Sequence, residues 1–285
     1  MNERAPKRPW TPILPWASES GDPDAPLIAI IHGTMDRSTS MLRLSRKLDQ
    51  RFRVLRYDRR GYGRSVPAEG AHQGPFDMAR QVDDLVALLD GRRALLVGHS
   101  YGGNVALSAA TRFPELIAGV AAYETPLSWE AWWPHNTAGA AARATGASPA
   151  EAAGAFMRRL IGDAAWERLP AKTRADREAE GAAMVGELRD LADNRPWHAD
   201  KIHCPVVLGF GSCGAVHHQR GMRHLHEIIP QSELFELAGC RHDAPASHSQ
   251  QFADTIVGAL AIATGEPWAG AVVRAGDDVS QPSVT

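Results

Sequence analysis

The sequence of 285 residues has little cysteine: Cys204, Cys213 and Cys240 are odd in number and confined to the last third. That excludes a disulfide framework and reads as free thiols in a reducing compartment. Charge of one sign is also lacking, since 31 Lys+Arg stand against 33 Asp+Glu for a formal net charge of −2. The overall balance therefore shows no nucleic-acid footprint and no polyacidic tail. Long apolar runs are absent, none approaching the roughly 18 residues that a membrane helix needs, so no membrane insertion is expected. Met1 to Thr11 is polar and contains proline, with no apolar core segment, so no secretory leader is expected and the cytoplasm is the default location. Internal repeats are missing as well. What is present, 44% apolar and 22% charged residues with 26 Gly and 19 Pro, is an ordinary globular composition. The length suits one large domain, or one domain with a sizeable insertion.

Along the chain, strand and helix patterns alternate. Leu27–Ile31 is a continuous apolar stretch, as in a strand buried on both faces of a parallel sheet, and it runs into His32-Gly33. Helix is expected over 38–49, strand over 52–57, and helix over 76–90, where Val82, Leu85, Val86 and Leu89 form one stripe. A short strand over 94–97, a small-residue helix over 101–112 ended by Pro114, and a strand over 116–123 follow. The rhythm then stops. Residues 126–196 are rich in Ala and Trp, with no buried-strand run, and read as a helical insertion. Alternation resumes with strand 205–208, helix 216–229, strand 233–237 and helix 249–263, where Phe252, Ile256 and Leu260 recur at helical spacing. This βαβ rhythm predicts an α/β fold with a mostly parallel sheet and helices on both faces. The expected organisation is an N-terminal segment (1–25), an α/β core (26–125 and 197–264), the helical insertion (126–196) and an unstructured tail (265–285).

The segment Gly98-His99-Ser100-Tyr101-Gly102-Gly103 falls between a buried strand and a helix and matches GxSxG. A sharp strand-to-helix turn strains the serine backbone and exposes its hydroxyl, and only small residues two before and two after let strand and helix approach. Ser100 is the candidate nucleophile. The backbone N–H of Tyr101, at a helix N-terminus, can stabilise an oxyanion. His99, adjacent to the serine, points the wrong way for a base and suits packing or pocket lining.

At these residues the chain resembles the α/β-hydrolase fold superfamily, over most of residues 26–263 apart from the insertion. His32-Gly33-Thr34-Met35 is similar to the family's HGx loop, which would supply a second oxyanion N–H from Thr34 or its neighbour and place Met35 near the substrate. Tyr57-Asp58-Arg59-Arg60-Gly61-Tyr62-Gly63-Arg64-Ser65 resembles its D-x-R-G-x-G-x-S turn, usually structural. It also accounts for the arginines of residues 51–60 without a phosphate or nucleic-acid patch.

In the family order of serine, acid and histidine, the base comes last. Gly239-Cys240-Arg241-His242 follows the final strand and resembles the family's G-x-G-H loop, which makes His242 the candidate. His217, His218, His224 and His226 fall on a helix face and read as surface or capping residues. The acid departs from the commonest family pattern: the position after the strand following the insertion is Gly214, and no carboxylate follows until Glu227. Some members place the acid just past the strand before the insertion, where this chain has Glu124. Glu124 is the candidate, with Asp243 or a Ser-His dyad as alternatives.

The resemblance implies acyl chemistry, because haloalkane dehalogenases and epoxide hydrolases of this fold use Asp where this chain has Ser100. The expectation is a serine hydrolase of a small, apolar ester, thioester or related carbonyl substrate, with Trp129, Trp132 and Trp133 walling the pocket or anchoring a cap. Alternatives are a C–C bond hydrolase or a cofactor-free perhydrolase with the same triad, and a small-molecule-binding member of the fold without turnover. No cofactor and no metal are implied: there is no Walker loop, no dinucleotide fingerprint with its downstream acid, and no helical His pair with zinc spacing. The partner expected is the small-molecule substrate alone, and the oligomeric state is not readable.

Overall fold

A computed structural model describes residues 14–66, 74–140, 146 and 148–268. The apolar runs form one seven-stranded sheet. Strands β1 (Ala17–Ser20), β2 (Leu27–Ile31), β3 (Arg53–Tyr57), β4 (Ala94–His99), β5 (Ile117–Tyr123), β6 (Val206–Gly211) and β7 (Ser232–Leu237) lie in the order β1-β3-β2-β4-β5-β6-β7. Neighbours are parallel except β1, which pairs antiparallel with β3 at the edge. Burial on both faces explains the unbroken apolar run of β2. Leu27, Ala29 and Ile31 enter one core with Leu96, Val105 and Val120, whereas Ile28 and Ile30 enter another with Val54, Val97 and Phe252. That is the two-residue alternation of a strand.

Strand β1 was not foreseen. Its residues, Ala-Ser-Glu-Ser, pair on one side only and none is fully buried, so they carry no hydrophobic signature. The helix expected over 38–49 is shorter, α1 being Leu42–Leu48, because the Ser38 N–H donates to Asp58 Oδ1 (2.8 Å) and residues 37–42 close as turns. Helices α2 (Met78–Leu89) and α3 (Tyr101–Arg112) follow the sequence pattern.

Between β5 and β6 the chain leaves the sheet and carries α4 (Pro149–Ile161), α5 (Asp163–Arg168), α6 (Ala171–Glu178) and α7 (Gly181–Asp193). Ser148 starts α4 with a capping box to Glu151. Ala152, Met157, Trp166, Met184 and Leu188 of this segment share one cluster with Met35 and Tyr62, which lie just past the C-terminal ends of β2 and β3. Helix α8 (Val216–Ile228) follows β6. The last helical stretch, 249–263, contains a π-turn at Ala253–Val257, and Phe252, Ile256 and Leu260 are buried as their spacing predicts. Within the expected tail, Trp268 stacks on Phe52 at 6.4 Å. The expectations for Met1 to Thr11 and for 269–285 lie outside the described residues. Among the described residues no helix is long and apolar enough to cross a membrane.

Candidate active site

Strand β4 ends at His99 and helix α3 starts at Tyr101, so Ser100 alone makes the turn, at φ +54° and ψ −124°. Non-glycine residues rarely hold such a conformation without help from their surroundings. Here the Ser100 N–H donates to the Tyr123 carbonyl and its own carbonyl accepts from the Gly103 N–H, both at 2.9 Å. A Cβ on Gly98 would collide with the Gly102 carbonyl, and one on Gly102 with the Ile31 carbonyl, so both glycines are required sterically. The parallel register pairs Ile31 with Gly98 and His99 with Tyr123. One or two residues further on, Gly33, Ser100 and Glu124 lie beyond the ends of three neighbouring strands, the edge where open α/β sheets hold ligands. A Cβ on Gly33 would stand 2.9 Å from Ser100 Cβ, which shows how closely that loop approaches.

Glu124 is buried at φ +46°, its N–H bonded to the Gly209 carbonyl at 3.0 Å. Its Oε1 accepts the Gly211 N–H (2.9 Å) and its Oε2 accepts from His242 Nδ1 (2.6 Å). A carboxylate only accepts, so the His242 proton sits on Nδ1 and the Nε2 lone pair is left for chemistry. A Cβ on Gly214 would lie 2.5 Å from Glu124 Oε1, so the glutamate fills the space beside the commoner acid position. Asp243, the alternative acid, instead heads the short helix Ala244–Ser247, its carbonyl accepting the Ala246 and Ser247 N–H groups.

Two side chains hold the loop that carries His242. The Tyr123 hydroxyl donates to the Arg241 carbonyl (2.9 Å) and His99 Nε2 donates to the His242 carbonyl (2.8 Å). His99 Nδ1 then lacks a proton and a hydrogen-bond partner, and lies 4.0 Å from Asp36 Oδ2. Burial, aided by neighbouring His242, pushes the His99 pKa down to about 4. Among the described residues no hydrogen bond joins Ser100 to His242; such bonds often tighten only with substrate in place.

The sequence reading assigned His217 and His218 to an outer helix face, and the structure corrects it. The His218 ring stacks on His242 at 4.7 Å and 22°, His217 lies 4.4 Å from His218, and Trp133 meets both edge-on. Burial first, then proximity to His242, holds His218 well below the ordinary histidine range, and His217 is lowered for the same reasons. The available signal was the His-His pair opening α8: consecutive residues on a helix point about 100° apart, so one of such a pair readily faces inward. Of the other tryptophans, Trp129 packs edge-on to Trp197 and Trp132 lies against His224 and the Arg220 guanidinium.

Glu124, His218 and His242 bring possible metal-ligand atoms within 4.8 Å of one another. Both Glu124 oxygens already accept from N–H donors, whereas His218 Nδ1 is buried without a hydrogen-bond partner.

On the far side of Ser100, the Tyr101 ring is buried under α3 and Met35 is buried at φ +55°. The Thr34 hydroxyl donates to Glu187 Oε1 (2.6 Å). Glu187, Glu180 and Arg59 are all buried; the sequence singles out neither acid and gives Arg59 only as part of a structural turn. Two acids seven residues apart on a face otherwise carrying Met184, Leu188 and Leu191 were the visible hint.

Comparison with known proteins agrees with the fold. The chain is 29% identical over 245 residues to the pimeloyl-[acyl-carrier protein] methyl ester esterase of Chromobacterium violaceum, covering 80% of this chain and 91% of that protein. It is 35% identical over 112 residues to epoxide hydrolase A of Mycobacterium tuberculosis, which covers 38% of this chain and 34% of that enzyme. With other mycobacterial relatives the match likewise spans only about a quarter of their length, 27%. Among solved structures, the enol-lactonase of Burkholderia xenovorans superposes with a TM-score of 0.64 at 26% identity, over 85% of this chain and 94% of that one. The model of the alpha/beta hydrolase family matches residues 28–255, and with the parallel sheet and the strained serine turn already in place, the chain belongs to that family.

Proposed function

We propose that the chain is a serine hydrolase that cleaves a small, apolar ester, thioester or related carbonyl substrate through an acyl-enzyme on Ser100. The observation that carries this reading is the Glu124–His242 pair at 2.6 Å, at the sheet edge where Ser100 makes its strained turn. His242 Nε2 takes the Ser100 proton as Oγ attacks the carbonyl, and Glu124 stabilises the imidazolium that forms. The oxyanion accepts from the N–H groups of Tyr101 and Thr34. His242 then returns the proton to the leaving group, and water, deprotonated by the same imidazole, releases the acyl group and restores Ser100.

The esterase and enol-lactonase likenesses support ester chemistry. Serine at the nucleophile position separates the chain from relatives that open epoxides through an aspartate. Trp133 beside His217 and His218 supports an apolar wall, and the helices between β5 and β6 act as a cap. A filled acid position favours turnover over a pocket that only binds. The test is hydrolysis of p-nitrophenyl esters of graded acyl length. An initial burst equal to the enzyme concentration, abolished in Ser100→Ala, is expected; hydrolysis unchanged in that variant contradicts the proposal.

A further inference from the structure

The ion pair between α7 and the loop after β3 has no part in the steps above, yet its geometry bears on one peptide plane. The Arg59 guanidinium is buried, 4.8 Å from the Tyr62 ring and 4.7 Å from the Tyr101 ring. Its Nε donates to the His32 carbonyl (2.9 Å), one terminal nitrogen to the Gly33 carbonyl (3.1 Å) and Glu187 Oε1 (3.2 Å), and the other to Glu187 Oε2 (2.7 Å). The Arg59 N–H also donates to His32 Nε2 (2.8 Å), which leaves the ring proton on Nδ1, and that nitrogen bonds the Gly33 carbonyl (2.8 Å). Two donors therefore hold the Gly33 oxygen.

In a planar trans peptide, the carbonyl and the following N–H point to opposite sides. Fixing the Gly33 oxygen thus fixes the direction of the Thr34 N–H. From the other side, Glu187 Oε1 accepts the Thr34 hydroxyl and the Tyr62 hydroxyl, each at 2.6 Å.

We infer that Glu187, carried by the insertion and not by the catalytic core, is a positioning residue for the oxyanion hole. Through the Thr34 hydroxyl, and through Arg59 on the Gly33 carbonyl, it aims the Thr34 N–H at the developing oxyanion. The inference rests on the serine-hydrolase reading and deepens it: the cap sets the electrophile-binding side of the site as well as covering it. A competing role is plain anchorage of the insertion, and Glu180 provides the comparison. Glu180 is buried too and accepts from Arg37 Nε (2.7 Å), the Gly63 N–H (2.8 Å) and Arg177 (3.1 Å), with no bond to Gly33 or Thr34.

Truncating one partner of a buried ion pair leaves the other uncompensated, so the variants are conservative. Glu187→Gln keeps the shape, and Thr34→Val removes only the hydroxyl while keeping the backbone N–H. For these, their double variant, Glu180→Gln and wild type, kcat and KM on p-nitrophenyl acetate would be measured with the affinity for phenylboronic acid, which forms a tetrahedral adduct on the serine, and the Tm. Glu187→Gln and Thr34→Val should each lower kcat about tenfold or more with KM within about twofold, since misaimed donors cost transition-state stabilisation and not ground-state binding. Boronate affinity should fall in parallel, and the double variant should be no worse than the worse single. Glu180→Gln should lower Tm and leave kcat near wild type.

Two results overturn the inference: kcat near wild type in Thr34→Val, or a fall in Glu180→Gln as large as in Glu187→Gln. If Glu187→Gln does not fold, Thr34→Val alone decides. A wild-type protein without esterase activity or boronate binding would instead remove the serine-hydrolase reading itself.

Discussion

Ser100, Glu124 and Met35 hold positive φ angles of +54°, +46° and +55°, and all three lie just past the ends of parallel strands. Each such residue costs on the order of 1–3 kcal/mol and persists where its neighbours over-determine it. Around Glu124 those neighbours are the Gly209 carbonyl, the Gly211 N–H and His242. Glu124→Gln keeps an oxygen for the Gly211 N–H but no longer fixes the imidazole tautomer. It should lower kcat by about 10³–10⁴ with Tm nearly unchanged, measured by ester hydrolysis and thermal melting. Activity within tenfold of wild type would take Glu124 out of the proposed mechanism. Ser100 was legible because its motif sits directly between strand and helix, and Glu124 because the usual position is occupied by Gly214. Arg59 and Glu187 were not: they are 128 residues apart, and their meeting depends on how the insertion folds back.

At the level of elements, β4, the turn at Ser100 and α3 form one unit whose glycines are set by contact. Helix propensity alone favours Ala over Gly by about 1 kcal/mol, but a Cβ at Gly102 would strike the Ile31 carbonyl of β2. Gly102→Ala should therefore destabilise by about 2 kcal/mol or more in urea unfolding, with the sign opposite to propensity. A neutral or stabilising result contradicts the packing described. Parallel strands were readable since burial on both faces makes them apolar throughout. β1 was not, because Ser18, Glu19 and Ser20 pair at an edge without being fully buried. The bend that shortens α1 came from Asp58, 20 residues away from Ser38.

Across the described residues, buried His32 and His99 and half-buried His218 are held neutral in different places. Burial, with the Arg59 charge, pushes His32 down to about 3; burial and His242 push His99 to about 4 and His218 well below its ordinary value. A histidine whose folded pKa is depressed takes up its proton more readily when unfolded. Stability from these groups is therefore complete above pH ~6.5 and is lost as pH falls from there toward the folded values. At pH 5 the loss is about 2 kcal/mol for each of His32 and His99, taking 1.5 units at 1.36 kcal/mol each, and His218 adds to it in the same direction. Tm should fall by about 10 °C between pH 7.5 and 5.0 and recover on return to neutral pH. A flat profile would mean that these rings are not held neutral. None of this was visible in the sequence, where the same histidines read as motif or surface residues; burial is a property of the assembled sheet and its insertion.

The central claim is that Ser100 is an activated nucleophile, and covalent labelling tests it without knowledge of the substrate. Intact protein and Ser100→Ala would be exposed to a fluorophosphonate and weighed by mass spectrometry. The account predicts rapid addition of a single phosphonyl group to the wild type and none to the variant. A folded wild-type protein that stays unlabelled, or a variant that labels equally well, would contradict it.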